Sequence, residues 1–341
     1  MRLSIARRLT RVRILGRVLG RVRRLLASAT AASLLVPLAA CSDGPGPGRD
    51  DAAPVAPPTA TSTTGQSGTS EPLEIVPGQE LQRPAPLRPV FADRRFLVAY
   101  YGTAQTASMG VLGEASPQDA YARLAEAAAP FARPGSDVDL VFELIVTVAD
   151  PVPGADGDFS HDIPRAEVER YVEAARELGI RLLLDLQPGR SAFLPVAKRW
   201  RWALRQPHVG LALDPEWRTA PTERPGEVIG QVDAAEVNRV SRWLADLTTR
   251  RRLPQKLFVL HQFRTDMVTG IEGVEKRRRL AMVQHVDGFG PPGQKIDTYR
   301  TVARPGTFRM GFKLFYDEDV DLMSAAQVRA LRPRVRFVSF Q

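Results

Sequence analysis

The sequence predicts a (β/α)8 barrel without a final helix, preceded by a disordered tether, and three observations lead there. From Arg95 onward, strand-like apolar runs alternate with helix-like amphipathic runs. There are eight strand-like runs and seven connectors, and the chain ends on the eighth run. Residues 96–341 span the length such a barrel needs, ~250 residues. Strand–helix alternation calls for a parallel sheet with crossover helices. An open doubly wound sheet is the alternative, but AYYGTAQTASMG after the first run lacks the G-x-G-x-x-G spacing of a dinucleotide fold.

The strand-like runs are FLVAYYG (96–102), DLVFELIVTV (139–148), RLLLDLQ (181–187), VGLALD (209–214), KLFVLHQ (256–262), LAMVQHVD (280–287), FRMGFKLFY (308–316) and VRFVSF (335–340). Among the helix-like runs, 116–132 opens with Ser116 and Pro117, an N-cap followed by a preorganised first turn. Run 164–179 carries an apolar stripe at Val168, Val172, Ala175 and Leu178 and stops at Gly179. Runs 191–206 and 233–251 follow the same logic, and shorter helices are expected within 271–279, 293–304 and 324–332. The stretch 72–95, with several prolines and few apolar residues, is expected to cover part of the seam between the eighth and first strands.

The formal charge of +9 suggests nucleic acid, but its distribution excludes that partner. Nine arginines and no acid lie in residues 1–40, so residues 41–341 are formally neutral. An Arg-rich stretch to Arg24 precedes a 16-residue apolar run, 25–40, shorter than a membrane span of ~20 residues, and then Cys41. Cys41 is the sole cysteine, which leaves the rest of the chain without a disulfide, a thiolate metal site or a Cys nucleophile. Residues 41–80, rich in Pro, Gly, Ser, Thr and Ala, have too little apolar surface to fold and read as a tether. The chain therefore divides into a targeting segment (1–40), a tether (41–80) and a barrel domain (81–341).

LAAC at 38–41 resembles a bacterial lipobox. The resemblance implies export, cleavage before Cys41 and lipidation of that residue, which would hold the protein on the outer face of the cytoplasmic membrane. Arg23-Arg24-Leu25-Leu26 is loosely similar to a twin-arginine signal, and the route of export stays open.

In this barrel class the chemistry sits at the C-terminal ends of the strands. Those ends offer Tyr100 and Tyr101, Glu143, Asp185 and Gln187, Asp214 with Glu216 and Trp217, His261, His285 with Asp287, Lys313 with Tyr316 and Asp317, and Ser339. Pleat parity refines this set, because side chains two apart share a face. Leu182, Leu184 and Leu186 meet the helices, so Asp185 and Gln187 point inward; by the same reasoning Glu143, Asp214 and Glu216 point inward. Clustered carboxylates cannot all ionise cheaply, and a carboxyl with a raised pKa is a candidate general acid.

Asp214-Pro215-Glu216 at the end of the fourth strand is similar to the D-x-E motif of family 18 chitinase-type glycoside hydrolases and of the family 25 lysozyme barrels. The longer chitinase pattern has aspartates upstream, where this chain has Val209, Leu211 and Ala212. The resemblance implies a glycoside-hydrolase-like activity on a polysaccharide or peptidoglycan-like glycan, with Glu216 as acid/base and Asp214 tuning it. Asp185, Asp287 or Asp317 could supply a second carboxyl. Tyr100, Tyr101, Trp217 and Tyr316 would suit stacking on sugars, with Glu143, Gln187, His261 and His285 as further binding groups.

Other readings remain open. Asp-Pro commonly starts a turn, and the acid pair could be structural, with Lys313 or Arg181 as partner. A non-catalytic glycan- or solute-binding lipoprotein would share these features, as would a structural envelope protein. His261 and His285 suggest metal, but the first strand lacks H-x-H and the eighth lacks Asp, so no metal and no cofactor is expected.

Overall fold

Inward-facing residues alternate with outward ones along every strand, and the sheet closes on itself. The computed structural model describes residues 89–341. The targeting segment, Cys41, the tether and the start of the expected barrel domain at 81–88 lie outside the described residues. Eight parallel strands form the barrel: β1 Phe96–Gly102, β2 Val138–Ala149, β3 Arg181–Leu186, β4 Val209–Leu213, β5 Lys256–His261, β6 Leu280–Val286, β7 Arg309–Leu314 and β8 Val335–Phe340. Each pairs with its sequence neighbours, and β1 closes the ring by pairing with both β2 and β8. β2 also turns back through a short antiparallel strand, Ser160–Asp162, which the sequence pattern did not reveal.

The helices are α1 Pro117–Ala128, α2 Arg165–Glu177, α3 Phe193–Arg199, α4 Arg201–Leu204, α5 Ala234–Arg250, α6 Pro292–Val302 and α7 Ala325–Ala330. Ser116 caps α1 by accepting the Asp119 amide, and Ser324 and Gln327 form a capping box on α7. The run 191–206 is two helices, because the chain leaves helical geometry at Trp200 (ψ 9°). Its indole donates to Thr147 Oγ1 at 2.9 Å, anchoring the break to β2. No α-helix forms in 271–279, contrary to expectation; the segment holds one 3-10 turn, Ile271–Gly273, entered through left-handed Gly270 (φ 64°). Its charged stretch EKRRR has no apolar stripe to bury.

The outward residues of the strands join the helices in one core, and the inward residues make a second, smaller one. Leu97, Val141, Leu183, Ala212, Val259 and Phe337 contribute to this inner floor. Gly210 lets β4 approach closely: a Cβ there would lie 2.3 Å from the Leu257 carbonyl oxygen. Val90 is fully buried against this floor, and its amide donates to Gln255 Oε1 at 3.3 Å. Of the segment expected at the seam, residues 72–88 lie outside the described residues, and residues 89–95 run beneath the barrel with Val90 as a plug. The seam is filled by aromatic rings. Phe131 stacks on Phe96 (5.2 Å), and Phe340 meets Phe131 edge-on (6.2 Å) and stacks on Tyr316 (5.2 Å).

Candidate active site

Above the apolar floor the inward positions become polar. Tyr101 (β1), Glu143 (β2), Asp185 (β3), His261 (β5), His285 (β6), Lys313 (β7) and Ser339 (β8) are all buried, as are Asp214 and Asp287 just past β4 and β6. Parity puts them on one face of the sheet, and closure of the ring brings that face together at the C-terminal mouth.

His261 is the centre of this cluster. Its Nδ1 lies 2.9 Å from Asp287 Oδ2, its Nε2 lies 3.2 Å from Glu143 Oε1, and Asp185 Oδ1 is 4.0 Å from Nε2. Burial alone would discharge the ring. The Asp185 charge and the hydrogen bonds it donates to Asp287 and Glu143 outweigh that, so its pKa stands well above the usual histidine range. His261 is therefore an imidazolium at neutral pH, donating from both nitrogens.

Tyr101 donates to Asp185 Oδ2 at 2.8 Å, and Gln187 Nε2 lies 3.4 Å from the Tyr101 hydroxyl. The Lys313 ammonium sits 3.3 Å from the centre of the Tyr101 ring. Burial, then the charges of Asp185 and Asp214, hold the phenol pKa well above its normal value. Asp185 is itself raised, first by burial and also by Glu143, with His261 opposing. Asp214 is raised well above the carboxylate range by burial, with Asp185, Glu216 and Asp287 adding to the shift against the opposing charge of His261. These acids cannot all ionise around one imidazolium and one ammonium, so protons are retained in the cluster.

His285 is the neutral counterpart of His261. Its Nε2 lies 2.7 Å from Ser339 Oγ, and burial, then the charges of His261 and Lys313, keep its pKa well below normal. The ring fits because β7 carries Gly311; a Cβ there would sit 2.4 Å from His285 Nδ1.

Glu216 stands apart. β4 ends at Leu213, and Pro215–Trp217 form a 3-10 turn capped by Asp214 Oδ1, which accepts the Glu216 amide at 3.2 Å. A turn, not a continued pleat, therefore places Glu216, which is partly exposed at the rim. Its pKa is pushed up to about 7, mainly by burial and next by the Asp287 charge, with Lys313 and His261 opposing. Trp217 is also partly exposed in this turn.

Several sequence-derived site residues lie elsewhere. Tyr100 points outward: its hydroxyl donates to the Arg123 carbonyl at 3.1 Å, and its ring meets Phe340. Tyr316 stacks on Phe340 in the same outer seam, so neither tyrosine lines the mouth. Parity explains Tyr100, since Tyr101 takes the inward position. Asp317 is exposed on the loop after β7, with no contact to the cluster among the described residues. Arg181 cannot pair with the acids of the mouth, because it lies at the start of β3, 3.9 Å from Asp139. Of the two basic residues considered as partners, Lys313 is the one that reaches the cluster.

A buried ion pair escaped sequence reasoning. Lys295 Nζ donates to both Asp319 oxygens at 2.8 Å and to the Lys313 carbonyl at 2.9 Å. Asp319 also accepts the amides of Gly290 and Phe315, tying the loops after β6 and β7 together. The signal available was a lysine on the otherwise apolar inner face of α6.

Among the described residues no three His, Cys, Asp or Glu side chains are arranged to hold a metal ion. Both His261 nitrogens and one of His285 are occupied by hydrogen bonds. Beside the mouth, a cavity of about 330 Å³ is lined by Arg218, Thr219, Gln231, Asp233, Glu236 and neighbours, and by none of the cluster acids.

Eight parallel strands with helices between them, a packed apolar floor and a polar C-terminal mouth define a TIM-barrel fold. No protein-family model matches the chain. No curated protein matches it in sequence. Among solved structures it is similar to a GH5 xyloglucan-specific endo-β-1,4-glucanase from a metagenomic library, in complex with cellotriose. That likeness has a TM-score of 0.34 and 9% identity over 60% of this chain and 74% of the other. It is also similar to the Burkholderia cenocepacia dihydropteroate synthase complexed with 7,8-dihydropteroate, with a TM-score of 0.33 and 14% identity over 73% and 86% of the two chains. At that similarity neither neighbour's activity transfers to this chain.

Proposed function

We propose that the barrel is a glycoside-hydrolase-like domain acting on an extracytoplasmic glycan, with Glu216 as the general acid. One observation carries the reading: Glu216 is partly exposed at the mouth and has its pKa pushed up to about 7. About half of it is protonated at neutrality and more below, where a ligand can reach it, as protonation of a glycosidic leaving oxygen demands. Asp287 is the second carboxyl. It is fixed by the His261 imidazolium, and its charge helps raise Glu216. Asp214 positions Glu216 through the capped turn, and Asp185 with Tyr101 and Lys313 sets the field beneath. Trp217 offers a flat face to a sugar ring. The LAAC sequence and the Arg-rich leader support export and a lipid anchor at Cys41.

A second reading, a non-catalytic glycan-binding barrel, is favoured by one feature. The deep acids are already engaged by His261 and Tyr101, and the neighbouring cavity is lined by other residues. Reducing-end release from purified peptidoglycan and soluble polysaccharides, measured beside sedimentation binding, separates the two. Loss of turnover by about 10²–10⁴-fold in Glu216→Gln, with binding kept, supports the catalytic reading. Wild-type protein that binds glycan without releasing reducing ends supports the second, and protein that does neither sinks both.

A further inference from the structure

At the opposite end of the barrel, Arg94, Arg133, Arg329, Arg332, Arg334 and Arg336 line a cavity of about 190 Å³ with Pro134, Gly135, Ser136 and Val335. No carboxylate lines it, and none of the six arginines makes a salt bridge among the described residues. Among the nearby acids, Asp139 is held by Arg95 at 2.7 Å and approached by Arg181, Asp137 lies 3.8 Å from Arg95, and the charge of Asp93 also acts on Arg95. We propose that this cavity is a binding site for a phosphate-bearing anion.

The site is built into the fold. Arg329 lies over the Phe96 ring (4.1 Å) and donates to the Phe131 carbonyl, yet its buried Nε has no hydrogen-bond partner. Arg336 is fixed by two hydrogen bonds to the Arg95 carbonyl, at 3.0 and 2.6 Å. The tight turn Arg133–Ser136, closed by the Ser136 amide and by Ser136 Oγ on the Arg94 carbonyl, brings Arg94 and Arg133 to the same rim. Crowded guanidiniums repel each other: burial, then the charges of Arg133, Arg336 and Arg334, push the Arg329 pKa down to about 10. A bound anion relieves that repulsion. Arg332 Nη1 donates to the Arg329, Ala330 and Leu331 carbonyls, and the remaining guanidinium N–H groups of six arginines lining one small cavity suit the tetrahedral, multiply charged oxygens of phosphate better than a single carboxylate. The chain joins the barrel at this same end through Val90, so a lipid headgroup and a soluble phosphate are both sources of the anion.

The test uses the full chain and the triple variant Arg94→Gln/Arg133→Gln/Arg334→Gln. These three side chains are exposed, and their loss leaves Arg329 and Arg336 to support the fold. Arg201→Gln/Arg205→Gln/Arg300→Gln, exposed on the helical layer, is the matched charge control. Inorganic pyrophosphate is titrated by calorimetry. Vesicles of phosphatidylcholine with and without phosphatidylglycerol are tested by co-sedimentation, where the N-terminal arginines contribute equally to both variants. The site predicts binding that weakens at least about tenfold in the triple variant, persists in the control and falls with added salt. Loss confined to pyrophosphate identifies a soluble phosphate, and loss confined to anionic vesicles identifies a headgroup; loss in both arms fits either source. Equal binding by the two variants in both arms, or no binding by wild type in either, overturns the proposal.

Discussion

At the C-terminal mouth, four buried acids share one imidazolium and one ammonium inside the barrel, with Glu216 at the rim; at the N-terminal end, six arginines line a cavity that no carboxylate lines, beside a floor closed by Val90. The chain as a whole hides this polarity, since residues 41–341 are formally neutral. The contrast lies in how charge is tolerated. Burial raises the pKa values of Asp185 and Asp214, while Glu143 and Asp287 hydrogen-bond with His261. The arginines remain charged and lie at the surface or over aromatic rings, where solvent and Phe91 or Phe96 bear the cost. Acids that retain protons suit proton transfer, and fixed cations suit anion capture.

The comparison is most easily broken at His261. Removing it by His261→Ala leaves Glu143 and Asp287 buried without their partner, and a loss of about 3–5 kcal/mol in urea denaturation is expected. A loss below about 1 kcal/mol would mean that the acids are solvated and the mouth is not a closed network. Gly311→Ala is next. Its methyl would fall 2.4 Å from His285 Nδ1, so the ring must shift away from Ser339, at a cost of about 1–3 kcal/mol. An unchanged Tm would show that β7 yields at this point. At the other end, Val90→Ala removes buried methyl groups from the floor and is expected to cost about 1–2 kcal/mol while leaving any turnover at the mouth untouched. A parallel loss of activity would show that floor and mouth are mechanically coupled.

Much of this was legible because a barrel obeys parity. The large apolar residues of β2, β3 and β4 had to face the helices, which sent Glu143, Asp185 and Asp214 inward without knowledge of the third dimension. Parity failed where the strand ended. Glu216 is placed by a capped 3-10 turn, and Tyr316 lies beyond β7, where alternation no longer applies. The hub role of His261 was hidden, since its partners come from β2 and the end of β6, 118 and 26 residues away. The arginine-lined cavity was hidden for the same reason: Arg94, Arg133 and the 329–336 group meet only when β8 closes onto β1.

The most specific test reads the Glu216 proton directly. A carboxyl whose pKa rises from about 4.5 unfolded to about 7 folded binds more proton in the native state across that window. Stability therefore falls as pH rises from about 4.5 to about 7, and the raised Asp185 and Asp214 add losses of the same sign. The stability that His261 gains from its partners also declines with rising pH, as its folded pKa is approached. Glu216→Gln deletes one of these contributions. Wild type and variant should have similar urea midpoints near pH 4, where Glu216 is protonated folded and unfolded, and should diverge toward pH 8 with the variant the more stable. The triple arginine variant, which keeps Glu216, should run parallel to wild type throughout. Parallel curves for Glu216→Gln would mean that Glu216 ionises as freely as a surface carboxylate, and the general-acid assignment would then lose its physical basis.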